Sequence, residues 1–134
     1  NSIDSTGTTT CGLFGTGSGT TGTDGTNTVF TLPAGTYYLQ TGAPAYSSTG
    51  QQKILLKNVT DSAVTLNGQS MYSPNGSCYI VCNLVGIFTI SSSKVFRIEH
   101  NMTGAPVSPN GLGVAANVSG ATEVYTTIMI KQLY

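Results

Sequence analysis

The stretch Glu123-Val-Tyr-Thr-Thr-Ile-Met-Ile-Lys-Gln-Leu-Tyr134 decides the fold class, because it is the longest uninterrupted strand pattern in the chain. It contains no glycine or proline, and its side chains alternate between two faces. The apolar residues are Val124, Ile128 and Ile130 on one face and Tyr125, Met129 and Leu133 on the other. This pattern indicates either a central strand covered on both sides or a strand whose second face meets another subunit. We favour the second interpretation.

Shorter strand patterns recur upstream, separated by turns rich in glycine, proline, asparagine and serine. We predict strands at residues 28–32, 36–40, 52–59, 63–66, 94–100 and 114–118, a turn at Ser119-Gly120, and two strands within the apolar run 78–90, which we interpret as core. Tyr37 and Tyr38 should point to opposite faces of their strand, and Phe96 and Ile98 to one face of theirs. Residues 42–50, with Pro44 and Tyr46 displayed, the turn Asn67-Gly68 and residues 101–113 are predicted loops. No window carries the 3.6-residue apolar period of a helix. About eight to ten strands at this spacing predict an all-β fold, an antiparallel jelly-roll β-sandwich.

Composition narrows the possible partners. Charged residues make up 7% of the chain, five positive and five negative, against about 25% in an average soluble domain. Serine, threonine, asparagine and glycine must therefore solvate the surface, as is common in extracellular and virion proteins. Without a cluster of lysine and arginine, we expect no binding to nucleic acid or to an anionic membrane surface. No apolar run approaches the ~20 residues of a membrane helix.

Residues 1–27 differ from the rest, being almost entirely glycine, threonine, serine, asparagine and aspartate. This composition is typical of linkers, so we predict a linker or the end of a fibrous shaft, followed by one domain at residues 28–134. The three cysteines leave at least one thiol free or paired between chains. Cys78 and Cys82 would lie about 13 Å apart along one strand, beyond disulfide reach. Cys11 could pair with either, but we expect all three to be reduced.

Several blocks resemble a known family. Phe30-Thr-Leu-Pro-Ala-Gly-Thr-Tyr-Tyr-Leu39 is similar to the stretch of tumour-necrosis-factor-like (TNF-like) and complement-head domains that enters the jelly roll. Phe96-Arg-Ile-Glu-His100, Asn110-Gly-Leu-Gly-Val-Ala-Ala-Asn117 and Glu123-Val-Tyr-Thr-Thr-Ile128 together resemble the C-terminal knobs of bacteriophage tail fibres and tail needles. The resemblance implies a homotrimer that caps a fibrous shaft, a virion location and contact with the host surface. It carries over no catalytic residue.

An enzymatic role is not expected. A glycosidase needs paired carboxylates, and the acids are Asp4, Asp24, Asp61, Glu99 and Glu123. Glu99 and Glu123 could lie on neighbouring strands, but we expect such charges to pair with Arg97 or Lys131. The single histidine, His100, could bind metal only if symmetry supplied three copies, so we expect a hydrogen-bonded histidine at a strand end. We predict no cofactor and no metal.

Aromatic rings beside asparagine and threonine suit sugar recognition by stacking and hydrogen bonding. The candidate ligand-binding residues are Tyr46, Tyr72, Asn75, Asn110 and Arg97. The candidate trimer-interface residues are Tyr38, Tyr125, Met129 and Leu133. We predict a trimeric knob that serves in host-cell attachment, to a bacterial surface glycan or protein, or in penetration. The alternatives are a purely structural trimerisation cap and a secreted complement-like recognition domain.

Overall fold

The computed structural model describes residues 29–46, 49–73, 79–104, 114, 116–121 and 124–133. Within these residues the chain forms strands and no helix, which confirms the all-β prediction. The seven strands are β1 (Phe30–Leu32), β2 (Gly35–Tyr46), β3 (Gly50–Asn58), β4 (Ala63–Ser73), β5 (Tyr79–Ile90), β6 (Lys94–Met102) and β7 (Ile128–Gln132). Residues 1–28, and with them the predicted linker and Cys11, lie outside the described part of the chain.

The strands form two antiparallel sheets. The first has the order β1-β6-β3-β4 and the second the order β5-β2-β7. The longest pairing joins β2 to β5, in register from Gly35 opposite Ile90 to Tyr46 opposite Tyr79. In the first sheet, β3 is central and pairs with both β4 and β6.

The core lies between the two sheets. Phe96 of the first sheet is fully buried, with its ring centroid 5.4 Å from that of Phe88 in the second sheet and 6.0 Å from that of Phe30. Tyr37 stacks on Phe88 at 5.6 Å, and its hydroxyl donates a hydrogen bond to the carbonyl oxygen of Pro33. One apolar face of each sheet is thereby removed from water, which is the main stabilising term of such a fold.

The alternation predicted for two short segments is confirmed. Tyr37 is buried, whereas its neighbour Tyr38 points to the other face and is half-buried. Phe96 and Ile98 face the core from β6.

The prediction of a loop at residues 42–50 is wrong for residues 42–46, because β2 continues to Tyr46. Residues 47 and 48 lie outside the described residues. Pro44 is buried and Tyr46 is half-buried, so neither is displayed on a loop. Proline lacks a backbone N–H and is normally excluded from the middle of a sheet. It is tolerated here because β7 pairs only with residues 37–41, so Pro44 has a neighbouring strand on the β5 side alone, as at a sheet edge.

The turn predicted at Asn67-Gly68 is also wrong, since β4 runs through it. Leu55 lies opposite Asn67 while Lys53 lies opposite Ser70, so β4 uses one extra residue there. This is a β-bulge. Gly68 is required in it because a Cβ atom would meet the carbonyl oxygens of Asn83 at 2.7 Å and Ile54 at 2.8 Å.

Three strand predictions need a further correction. Residues 79–90 form one continuous strand rather than two, and its side chains alternate between buried and exposed instead of all being core. Residues 114 and 116–118 are not a strand, although the predicted turn at Ser119-Gly120 is present. The terminal strand covers Ile128–Gln132 and lies at a sheet edge, with residues 124–127 outside it.

Candidate functional site

A depression of about 570 Å³ lies on the outer face of the first sheet. Its lining residues belong to β3, β4 and the end of β6, with Thr103 directly after β6, and none belongs to the second sheet. Two cross-strand rows form its walls. Their side chains are Tyr72, Gln51 and Thr103 in one row and Ser70, Lys53 and Asn101 in the other. The row between them, Met71, Gln52 and Met102, lines the floor.

Tyr72 is the most exposed tyrosine of the described chain, with 65% of its surface accessible. It lies opposite Gln51, so the strand pairing fixes its backbone. Thr103 is fixed from the other side, because its backbone N–H donates to the carbonyl oxygen of Gln51 and its hydroxyl accepts from the Gln51 N–H at 2.9 Å. The ring of Tyr72 is therefore held on a strand pair and not on a loop.

Lys53 is the one charged residue that lines this depression. Among the described residues the ion pairs join Lys94 to Asp61 and Arg97 to Glu99. Neither involves Lys53, which leaves its ammonium group without a carboxylate partner in that part of the chain.

A second surface feature is the outer face of the β5-β2-β7 sheet. Strand pairing places Ile87 beside Tyr38. Val85 and Met129 lie on opposite sides of Gln40. Ile87, Val85 and Met129 are 61%, 55% and 54% exposed. We call the set Tyr38, Val85, Ile87 and Met129 the apolar face. Gln40 lies between Val85 and Met129, and Lys131 pairs with Tyr38, so polar residues are interspersed on this face. A cluster of exposed apolar side chains is a common mark of a protein interface.

The predicted interface residues fall partly on the apolar face. Tyr38 and Met129 belong to it, and the Tyr38 hydroxyl donates to Oε1 of Gln40 at 2.9 Å. Tyr125 is exposed but precedes β7, and Leu133 is half-buried and its N–H donates to the carbonyl oxygen of Thr36. Sequence reasoning missed Val85 and Ile87. The alternation of side chains along β5 could have identified them, but the apolar run at residues 78–90 is interpreted from the sequence as core.

The predicted ligand-binding residues are not all brought together. Tyr72 lines the depression, whereas Tyr46 lies at the end of β2, half-buried. Arg97 pairs with Glu99, its Nε donating to Oε1 at 2.6 Å, which confirms the expected partner of that carboxylate. Asn75, Asn110, Glu123 and Cys78 lie outside the described residues. Gln51, Lys53 and Asn101 were not anticipated as site residues.

A buried polar cluster lies behind the floor of the depression. Oε1 of Gln52 accepts hydrogen bonds from Nε2 of His100 at 3.0 Å and from the thiol of Cys82 at 3.8 Å. The amide nitrogen of Gln52 donates to the hydroxyl of Thr49. Burial lowers the pKa of His100 to about 4 and raises the pKa of the Cys82 thiol. Both groups are therefore neutral near pH 7. Cys82 is a free cysteine.

No group of three or more histidine, cysteine, aspartate or glutamate residues is positioned to hold a metal ion in the described ranges. The same ranges contain no helix that could cross a membrane. Compared with protein-family models, with curated proteins and with solved structures, the chain has no significant match.

Proposed function

We propose that the chain is the C-terminal knob of a bacteriophage tail fibre or tail needle, a TNF-like jelly roll that forms a homotrimer. In this role it belongs to the virion and attaches to a bacterial surface glycan or protein without catalysis. The observation that carries the proposal is the apolar face on the outer side of the β5-β2-β7 sheet. The two-sheet antiparallel architecture is compatible with a jelly roll.

The energetic argument rests on apolar area. At the exposures of Val85, Ile87 and Met129, full burial would remove on the order of 300 Å² of apolar surface per subunit from water. At about 25 cal/mol per Å² this corresponds to roughly 7 kcal/mol per subunit, an upper bound before the entropy of association is subtracted. Such a contribution favours association over a monomer. Cyclic symmetry would use the same face in all three copies.

Sedimentation equilibrium of the wild-type chain at micromolar concentration tests the assembly. We expect three times the chain mass of 13.8 kDa. A single species at 13.8 kDa would contradict the proposed knob.

Competition with whole virions for bacterial cells tests the attachment role. The isolated knob is expected to reduce virion binding in proportion to its occupancy of the surface receptor. A trimer that leaves virion binding unchanged would instead be a structural cap.

A further inference from the structure

We propose that the depression around Tyr72 binds an acidic sugar, a pyranose ring that carries a carboxylate. The inference rests on the proposed attachment role and gives it a ligand class and a location. The site lies on the first sheet, on the opposite side of the sandwich from the apolar face. Assembly through the apolar face therefore leaves the depression open.

The ring of Tyr72 provides the stacking surface. It is 65% exposed and contributes nothing to the core, yet its position on β4 is fixed by pairing with Gln51. An aromatic ring offers a large apolar surface at small conformational entropy cost. One face of a pyranose is lined by C–H groups, which pack against such a ring. A ligand held on a strand pair is also positioned more accurately than one held on a loop.

Neutral polar side chains surround this ring. Gln51 and Asn101 supply amides, and Ser70 and Thr103 supply hydroxyls. Amides and hydroxyls both donate and accept hydrogen bonds, as the hydroxyl groups of a sugar do. Adjacent strands lie about 4.8 Å apart and alternate residues about 7 Å apart. These spacings are comparable with the width of a pyranose ring, so groups from both rows can reach one sugar.

Lys53 sets the preference for an acidic sugar. It is the one charged group of the depression, and the nearest acid along β6, Glu99, is paired with Arg97. A lysine ammonium acts as a compact point charge with three donors. A carboxylate on the sugar would supply the partner that the described part of the chain does not.

Saturation-transfer NMR on the full chain tests this site with two probes, methyl β-glucuronide and methyl β-glucoside. These probes differ only at C6, which is a carboxylate in the glucuronide and a hydroxymethyl group in the glucoside. We expect the wild type to bind the glucuronide about five-fold more tightly, a preference that falls as salt is raised. Lys53→Gln should reduce glucuronide binding to the level of the glucoside, and Tyr72→Ala should abolish the signal from both.

Tyr79→Ala is the matched control, because Tyr79 is another exposed tyrosine, at 54%, and lies on the second sheet. It should leave both signals unchanged, with circular dichroism showing that every variant is folded. Absence of transfer from the glucuronide, or an undiminished signal in folded Tyr72→Ala, would overturn the sugar site. Sedimentation of the same samples separates the two proposals. A trimer that binds neither sugar refutes this site alone, and a monomer that binds the glucuronide refutes the assembly alone.

Discussion

Nε2 of His100 lies 3.0 Å from Oε1 of Gln52, which ties β6 to β3 by a side-chain hydrogen bond in the interior. The side-chain oxygen Oε1 of Gln52 is a neutral acceptor for the imidazole. No carboxylate among the described residues pairs with the imidazole. Burial therefore penalises the imidazolium without compensation, and the pKa of His100 falls to about 4.

The first prediction concerns the pH dependence of stability. The pKa of His100 is about 4 in the folded chain, against an ordinary histidine pKa of 6.5, so the unfolded chain takes up the proton first as the pH falls. The contribution of His100 to the free energy of unfolding should be complete above about pH 6.5, decrease between pH 6.5 and 4, and level off below. The total loss is roughly 3 kcal/mol. Urea denaturation at fixed protein concentration measures it.

His100→Gln is the control for this prediction, because a glutamine amide can still donate to Gln52 but does not titrate. His100 is the single histidine, so the variant should lose most of the slope between pH 6.5 and 4. An unchanged slope in His100→Gln would show that another group is responsible.

The second prediction compares two glycines that approach other atoms closely. In Gly68→Ala the new Cβ meets two backbone carbonyl oxygens and Cγ2 of Ile54, and backbone cannot move away without breaking the sheet. In Gly86→Ala it meets the flexible side chain of Leu66 at 2.8 Å. We expect a loss of about 3 kcal/mol or more at Gly68 and about 1 kcal/mol at Gly86. Equal losses in urea denaturation would contradict the bulge.

These glycines also mark the limit of what the sequence predicts. The all-β class and the core faces of Tyr37, Phe96 and Ile98 follow from period-two alternation. Residues 42–46, Asn67-Gly68 and Gly86 look like breaks in a strand because glycine and proline are locally unfavourable in strands. Tertiary structure nevertheless places them in strands. Strand β7 pairs only with residues 37–41, the bulge contains Gly68, and Leu66 packs closely against Gly86.

The candidate site was predictable to a similar degree. Tyr72 could be singled out as an exposed aromatic, but Lys53 and Asn101 become its neighbours only through the register of β3 with β4 and β6. Such register depends on contacts between segments far apart in the chain, which local patterns do not encode. For the same reason Ile87 was assigned to the core, although it lies beside Tyr38 on the outer face.

The third prediction tests the aromatic core. Phe96 is fully buried and contacts Phe30 and Phe88, so Phe96→Ala removes contacts that hold the two sheets together. We expect a loss of about 3 to 5 kcal/mol in the free energy of unfolding. Val64→Ala, at a 42% exposed position on β4, should change it by less than about 0.5 kcal/mol. A small effect at Phe96 would place the core elsewhere.

The last prediction concerns the assembly through the apolar face. Met129 and Ile87 lie on opposite sides of β2, beside Gln40 and Tyr38, so a charge at either position enters the same surface from a different strand. Met129→Glu and Ile87→Glu should each convert a wild-type trimer into a monomer in sedimentation equilibrium, because symmetry would bring three added carboxylates together in one interface. Val64→Glu adds the same charge to the other sheet and should remain trimeric. Near-ultraviolet circular dichroism should show an intact aromatic core in all three variants. If Met129→Glu and Ile87→Glu both stay trimeric, the subunits associate through a different surface.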